Sequence, residues 1–476
     1  MEKNHSMIQV VALLVAAVSM ANGAPGNEPG IPRGTGTAAD YGGFEEAVEK
    51  IGAESFTLLI TRPHRIEADL TVGGNLHLQF HRAGRLIVAE GATLTIHAAI
   101  DAGLWPILEG KGTINGRPAV TAVYPQWFGA VGDGETDDTA AIQRAIDFCR
   151  GAKNRCLLPP RPYRLTESLV LYGHNQHLEQ LGPNRELSIR HGMGLIWDGP
   201  PEHAVIEVHR LSFSTIRGLT IFGERVGGVM GIRFTDPQKT LWSIGHNLIE
   251  DIMIRGCAVG LQLGDFTRDG HHSNVDDNRW HKITTYDTLT PVIMDAQHID
   301  DNFFTDLQFG SGFHNLPGDW GKRREHVIHI KHNGTGTVFR NLFFRGDNVV
   351  DSAICVESGD VRFDSVNAEG GGNRCLFMEV NNSGARGPIT LTDVRFVNYK
   401  NRDGVCIDSR FKSGFNLFGC NVSGDIRVDG TATAVGVVFE GDHGFVAANN
   451  KTVIHQLSVF GRPAPGGAID RVVGEP

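Results

Sequence analysis

An all-β solenoid is the fold class this sequence predicts, and three observations predict it. Eight short segments repeat one pattern, a turn residue followed by apolar, any, apolar. Their central apolar residues are Leu219, Ile252, Ile283, Leu307, Leu342, Val366, Val394 and Cys420, at intervals of 33, 31, 24, 35, 24, 28 and 26 residues. Turn-suited residues stand just before most of them: Gly218, Asp251, Asp306, Asn341, Ser365, Asp393 and Gly419. A repeat of this length built on strand alternation reads as stacked coils, each burying its neighbour's apolar face. Second, each repeat carries a further alternating strand. Its first inward residues read as Ile232, Leu261, Val292, Ile328, Ile354, Leu376, Val405 and Ile426. Its next inward residues read as Phe234, Leu263, Met294, Ile330, Val356, Met378, Ile407 and Val428, nearly all apolar as a buried parallel sheet requires. Third, 60 Gly against only 6 Trp and 6 Tyr suits many tight turns between short strands.

The elements follow in order along 476 residues. Residues 1–23 read as an export signal. Lys3 and His5 precede the apolar run Ile8 to Val18, and Ala21-Asn22-Gly23-Ala24 supplies small residues for cleavage. The run is too short to span a bilayer. Secretion or a periplasmic location is therefore expected, without stable membrane insertion. Residues 24–37 are rich in Gly and Pro and read as a flexible linker. Residues 38–123 read as N-terminal strands or cap coils. They begin with a helical stretch from Phe44 to Ile51, then strands at Thr57–Ile60, Asn75–Phe80, Arg85–Val88 and Thr93–Ala98. Residues 124–445 read as the main coil stack, and 446–476 as a C-terminal cap or tail.

The stack opens on Gly129-Ala130-Val131-Gly132-Asp133-Gly134, Thr136-Asp137-Asp138-Thr139 and an amphipathic helix from Ala140 to Cys149. Ile142, Ala145 and Ile146 share one side of it, and Thr136 or Asp137 suits its N-cap. A strand at Cys156–Pro160 and another at Tyr163–Leu165 follow. This Gly-Ala-Val-Gly-Asp-Gly-x-Thr-Asp-Asp-Thr opening, with its helix and Leu-Pro-Pro strand, resembles pectate-lyase-superfamily, polygalacturonase-related proteins. The resemblance implies a single-stranded right-handed parallel β-helix with a short N-terminal capping helix, and sugar polymers as substrates. It assigns Asp133, Asp137 and Asp138 to the cap rather than to chemistry.

Composition narrows the partners. A net charge of −10 disfavours a nucleic-acid backbone. Seven cysteines leave at least one unpaired; Cys149 and Cys156 flank a short link and are candidates for a disulfide. The expected partners are a polysaccharide and copies of the chain itself, as a homotrimer.

Side chains alternate along a strand, so the residues after the second inward set should point outward. They are Thr235, Gly264, Asp295, Lys331, Glu357, Glu379, Asp408 and Asp429. Five acids and a lysine in one column suggest a site. Glu357 and Glu379, on adjacent coils, would stand roughly 5 Å apart, near the retaining distance of a glycosidase, and Asp295 and Glu357 roughly 9.6 Å apart. The candidate catalytic residues are therefore Asp295, Lys331, Glu357, Glu379 and Asp408. Trp320, Arg323, Arg324 and His329 are the candidate substrate-binding residues, since a Trp with cations can stack on a sugar and hold its acid groups. Phe377 is the main aromatic near the expected groove.

Two further clusters stand out. Asn274-x-Asp276 and Asp300-Asp301 echo the polygalacturonase aspartates, but only Gly312-Phe313-His314 and His329-Ile330-Lys331 stand where Gly-His-Gly and Arg-x-Lys would complete that pattern. Turn roles suit these aspartates better. His271 and His272 lie among acids, yet adjacent residues on an extended chain point oppositely, which argues against a shared metal. The reading is an exported glycoside hydrolase acting on an acidic, uronate-containing polysaccharide. The alternatives are a lyase or epimerase working by proton abstraction, and a non-catalytic carbohydrate-binding or structural β-helix of adhesin or tailspike-like type. Hydrolysis needs no cofactor or metal; elimination would call for Ca2+ held by acids, with Lys331 or an Arg as base.

Overall fold

A computed structural model describes residues 34–457 apart from 151–153, 182–192, 239–242, 266–272, 297, 311–325, 333–334, 347–348, 350, 371–374, 382–387, 402, 411–413 and 450–451. The export signal and most of the linker lie outside the described residues. The chain folds as a right-handed parallel β-helix, and it divides into two compact units.

The first unit, essentially residues 34–103, is a small solenoid. Helix α1, Phe44–Ile51, buries Phe44, Ala47 and Ile51. Parallel strands follow at Phe56–Ile60, Leu76–Phe80 and Ala99–Asp101, with Pro63–Ile66 on Arg85–Val88 and Leu70–Val72 on Thr93–Ile96. The last four linker residues, Gly34–Thr37, form a strand beside Phe56–Ile60, which corrects the expected boundary at 37.

The second unit holds an 18-stranded and a 13-stranded parallel sheet. Its helix α2, Thr139–Cys149, buries the expected Ile142, Ala145 and Ile146. The acids around it are structural. Asp133 accepts the Thr136 and Glu135 amides, and Asp137 accepts the Thr139 amide and hydroxyl. Asp138 is buried and accepts the Val131 and Gly132 amides at 2.7 and 3.0 Å. Cys149 and Cys156 are buried free thiols in contact; the Cys156 side chain and burial push the Cys149 thiol well up. The coil ladder runs past residue 445, to a strand at Val453–Leu457 paired with Thr431–Val435.

Eight coils of the 18-stranded sheet bend at one residue. Gly218, Asp251, Asp306, Asn341, Ser365, Asp393 and Gly419 all have positive φ, between 52 and 72°, and so does Lys282 at 53°. Consecutive Cβ atoms alternate, so a single left-handed residue turns the strand without breaking the ladder on either side. The coil therefore has three faces: a run before the bend, a run after it, and the 13-stranded sheet.

The interior repeats residue types from coil to coil. Trp280, Phe304, Phe339 and Phe363 stack nearly parallel, with centroids 5.1, 4.5 and 5.1 Å apart. At the corner before them, buried Asn247, Asn278 and Asn302 form a ladder. Asn278 Oδ1 accepts from Asn247 Nδ2 at 3.0 Å, and Asn302 Oδ1 accepts from Asn278 Nδ2 at 3.3 Å and from Trp280 Nε1 at 3.0 Å. Asn278 and Asn302 also donate to the Ile244 and Val275 carbonyls, satisfying turn groups that would otherwise be buried unpaired. Phe377 belongs to the interior too. It is fully buried and stacked 4.1 Å from Phe396, so it is no groove aromatic.

Candidate active site on the third face

The 13-stranded sheet carries the expected column, but its register splits that column in two. Ile328 pairs with Ile354, Ile354 with Met378, and Met378 with Ile407. Met378, not Leu376, and Ile407, not Val405, therefore continue the first inward ladder; Leu376 pairs with Ser352. The cause lies in the pattern itself. Leu376, Met378 and Val380 alternate three times, so two registers bury equally apolar residues. A two-residue slip keeps each side chain on its face but moves it roughly 6.6 Å along the strand.

One outward ladder runs His329, Cys355, Glu379, Asp408 and Arg427. The other holds Asp295 and Lys331, then Glu357, whose amide bonds the Ile330 carbonyl. A bulge there pairs Asp295 with His332 and leaves Lys331 as the extra residue. Glu357 and Glu379 are thus not directly opposed. One strand apart and two residues offset, their Cα atoms stand roughly 8 Å apart. Of the remaining column, Thr235 is buried and Gly264 is a positive-φ turn residue.

Burial sorts the acids. Asp295 is 2% exposed and holds His332 Nδ1 at 3.0 Å and Lys331 Nζ at 3.9 Å. Asp408 is buried and ion-paired through Oδ2 with Arg410 at 3.3 Å and Arg427 at 3.6 Å. Both carboxylates are buried and face the cations beside them. Glu357 is exposed and Glu379 half-buried. His329 Nε2 lies 2.6 Å from Glu357 Oε1. Burial, offset in part by that bond, lowers the His329 pKa; since a carboxylate only accepts, the Nε2–H donates to Glu357. Between the two glutamates sits Cys355. Burial, with the Glu357, Glu379 and Asp351 carboxylates beside it, pushes its thiol up to about 12.

Trp320, Arg323 and Arg324 lie outside the described residues, as do His271, His272 and His314. Asp276 and Asp300 serve turns: Asp276 accepts the Asp300 amide and the Ser243 hydroxyl, each at 3.1 Å, and Asp300 accepts the Thr335 amide at 2.6 Å. Asp301 takes a positive φ of 49°.

A feature the sequence reading missed lies on the second face. Where the strands Thr337–Arg345, Val361–Glu369 and Ile389–Val397 end, a cleft of about 400 Å³ is lined by Arg345, Asn367, Glu369, Arg395 and Asn398. Register sets Arg345 beside Glu369 and Asn367 beside Arg395. The signal was present as two arginines and two asparagines at coil-length intervals, but they follow no single column.

No family model matches this chain, and no curated protein matches it. Among solved structures, the chain is similar to ORF18 of Geobacillus virus E2, at 15% identity and a TM-score of 0.36, covering 72% of this chain and 60% of that one. It is also similar to the catalytic unit of a GH87 α-1,3-glucanase from Streptomyces thermodiastaticus strain HF3-3, at 14% identity and a TM-score of 0.43, covering 75% and 71%. A third is the Dettilon tailspike protein, at 12% identity and a TM-score of 0.46, covering 73% and 68%.

Proposed function

We propose that this chain is an exported enzyme that hydrolyses an anionic, uronate-containing polysaccharide across its third face. The observation that carries the reading is that Glu357 and Glu379, two accessible carboxyls, flank one position on adjacent coils. Glu357, ionised and held by His329, takes a proton from water as the water oxygen attacks the anomeric carbon. The bond to the leaving sugar breaks, and Glu379 donates its proton to the departing oxygen. Because the two glutamates are set on the diagonal rather than directly opposite, their backbones roughly 8 Å apart leave room for a water between the carboxyls, as inversion requires. Lys331, fixed by buried Asp295, is placed to hold a uronate carboxylate. In the second-face cleft Arg345 is paired with Glu369, and Arg395 adds a further positive charge that would suit an anionic polymer.

One observation favours a second reading. Half-buried His332, oriented by buried Asp295, has the form of a base and its orienter. That pair would suit abstraction of the proton beside a uronate carboxylate, giving elimination or epimerisation.

The test is a panel of acidic and neutral polysaccharides incubated with purified protein, with calcium and with chelator. Reducing ends and unsaturated-uronate absorbance are read together. New reducing ends alone support hydrolysis. Both signals favour the His332 reading. Neither signal across the panel overturns hydrolysis and elimination alike; an inverted uronate seen by NMR of the uncut polymer would then support epimerisation, and an unchanged polymer leaves binding without cleavage.

A further inference from the structure

The third face also gathers three metal-type donors, of which the hydrolytic reading uses only His329, to hold Glu357. His326, His329 and Cys355 have ligand atoms within 4.8 Å of one another, and the two imidazoles meet edge to face with centroids 4.6 Å apart. His329 and Cys355 are register partners on adjacent strands, so the parallel ladder itself brings them together. His326 and Cys355 are buried.

The outer nitrogen of each ring is anchored to oxygen. His326 Nδ1 lies 2.9 Å from the Ser352 carbonyl, which can only accept, and 3.2 Å from the Ser352 hydroxyl; the shorter contact to the carbonyl puts the proton on Nδ1 and leaves Nε2 its lone pair. His329 Nε2 donates to Glu357 at 2.6 Å, which leaves Nδ1 with the lone pair. An imidazole whose far nitrogen donates to a carbonyl or carboxylate is the arrangement that orients histidine ligands around a metal and raises their basicity. The third donor is a thiol.

We propose that His326 Nε2, His329 Nδ1 and Cys355 Sγ bind one divalent transition-metal ion of the zinc class, with Glu357 orienting His329 from behind. Imidazole and thiolate donors select zinc or cobalt over calcium or magnesium. A tetrahedral ion with Zn–N of about 2.0 Å and Zn–S of about 2.3 Å sets its donors roughly 3.5 Å apart, within reach of small side-chain rotations here. Three protein donors leave a fourth position for water. The Cys355 thiol gives up its proton on binding, so uptake releases acid and tightens as pH rises. The inference shares Glu357 with the hydrolytic reading but does not depend on it.

The test uses the full, untagged chain, stripped with chelator and titrated with Co2+, then Zn2+. The expected result is saturation at one ion per chain, with intense tetrahedral visible bands, a thiolate-to-cobalt charge-transfer band, and displacement by Zn2+. Cys355→Ser should lose the charge-transfer band while keeping the wild-type circular dichroism. Should that buried change unfold the chain, His329→Asn at a less buried position reads the same loss of affinity. Glu357→Gln should weaken binding about 10- to 100-fold. No charge-transfer band in the wild type, or the same band in folded Cys355→Ser, overturns the proposal. Metal binding without cleavage of any polysaccharide would sink the hydrolytic reading and leave this one standing; full cleavage by protein that binds no cobalt does the reverse.

Discussion

The inside and the outside of the same coils follow different rules. Inside, one coil copies the next: Trp280, Phe304, Phe339 and Phe363 stack ring on ring, and Asn247, Asn278 and Asn302 pass one amide ladder along. Outside, on the third face, His329, Cys355, Glu379 and Asp408 succeed one another with no residue repeated. Stacking rewards identity where neighbours sit roughly 4.8 Å apart and buried, because like rings pack and like amides bond. It penalises identity among charges at the same spacing. The outer ladder meets that constraint by burying Asp295 and Asp408 against cations and leaving the glutamates accessible. A face that varies under this constraint is the one available for chemistry.

The contrast can be broken at several points, taken from the largest effect downward. Glu357→Gln or Glu379→Gln should lower turnover by about 10²- to 10⁴-fold with thermal unfolding nearly unchanged, read from initial rates of reducing-end release. Turnover within a few-fold of wild type in both would remove the outer face from the account. Inside the stack, Phe304→Ala should cost about 3–5 kcal/mol by denaturant unfolding. A smaller loss would mean that the aromatic column closes over the gap. Asn278→Ala leaves the Asn247 backbone amide and the Ile244 carbonyl short of partners and should cost about 1–3 kcal/mol.

Below these stands a pH effect. Because burial lowers the folded pKa of His329, the unfolded chain takes up that proton first. Stability from this group is complete above the unfolded value of about 6.5 and falls as pH drops below it. His329→Asn should flatten the stability profile between neutral and mildly acid pH; an unchanged slope would place the titrating group elsewhere. The smallest effect belongs to the bend. Lys282 alone among the bend residues has no small or turn-forming side chain, and Lys282→Gly should stabilise the fold by up to about 1 kcal/mol. A loss of stability there would show that the lysine stem contributes packing.

These differences also explain what was legible in the sequence. The bend residues were readable because a left-handed backbone selects Gly, Asn and Asp, which supply six of the eight, and Ser365 is a turn former as well. Lys282 escaped because nothing in its chemistry announces positive φ. Helix α1 and the strand Arg85–Val88 matched their expected bounds because caps and Gly breaks surround them. The third face was read on the correct side but in the wrong register. Leu376-x-Met378-x-Val380 offers three apolar steps where two were needed, and the choice rests on turn length rather than on the strand. That slip merged two ladders into one acidic column. Burial of Asp295 and Asp408 was not visible either, since charge alone does not reveal which carboxylates will meet an arginine, a lysine or a histidine from the next coil. The His326, His329 and Cys355 cluster did leave a trace. Cys355 follows His329 by 26 residues, one coil length in this chain. Reading each strand's neighbours at coil spacing, rather than its acids alone, would have found it.

The central claim is that the third face divides its acids into workers and anchors, and one paired comparison tests it most directly. Glu379→Gln and Asp408→Asn would be assayed side by side on whichever polysaccharide the wild-type protein cleaves, below the melting temperature of both variants. The account predicts that Glu379→Gln loses turnover while keeping its melting temperature, and that Asp408→Asn melts earlier yet keeps kcat within a few-fold. A folded Glu379→Gln that turns over normally, beside an Asp408→Asn that does not, would contradict it.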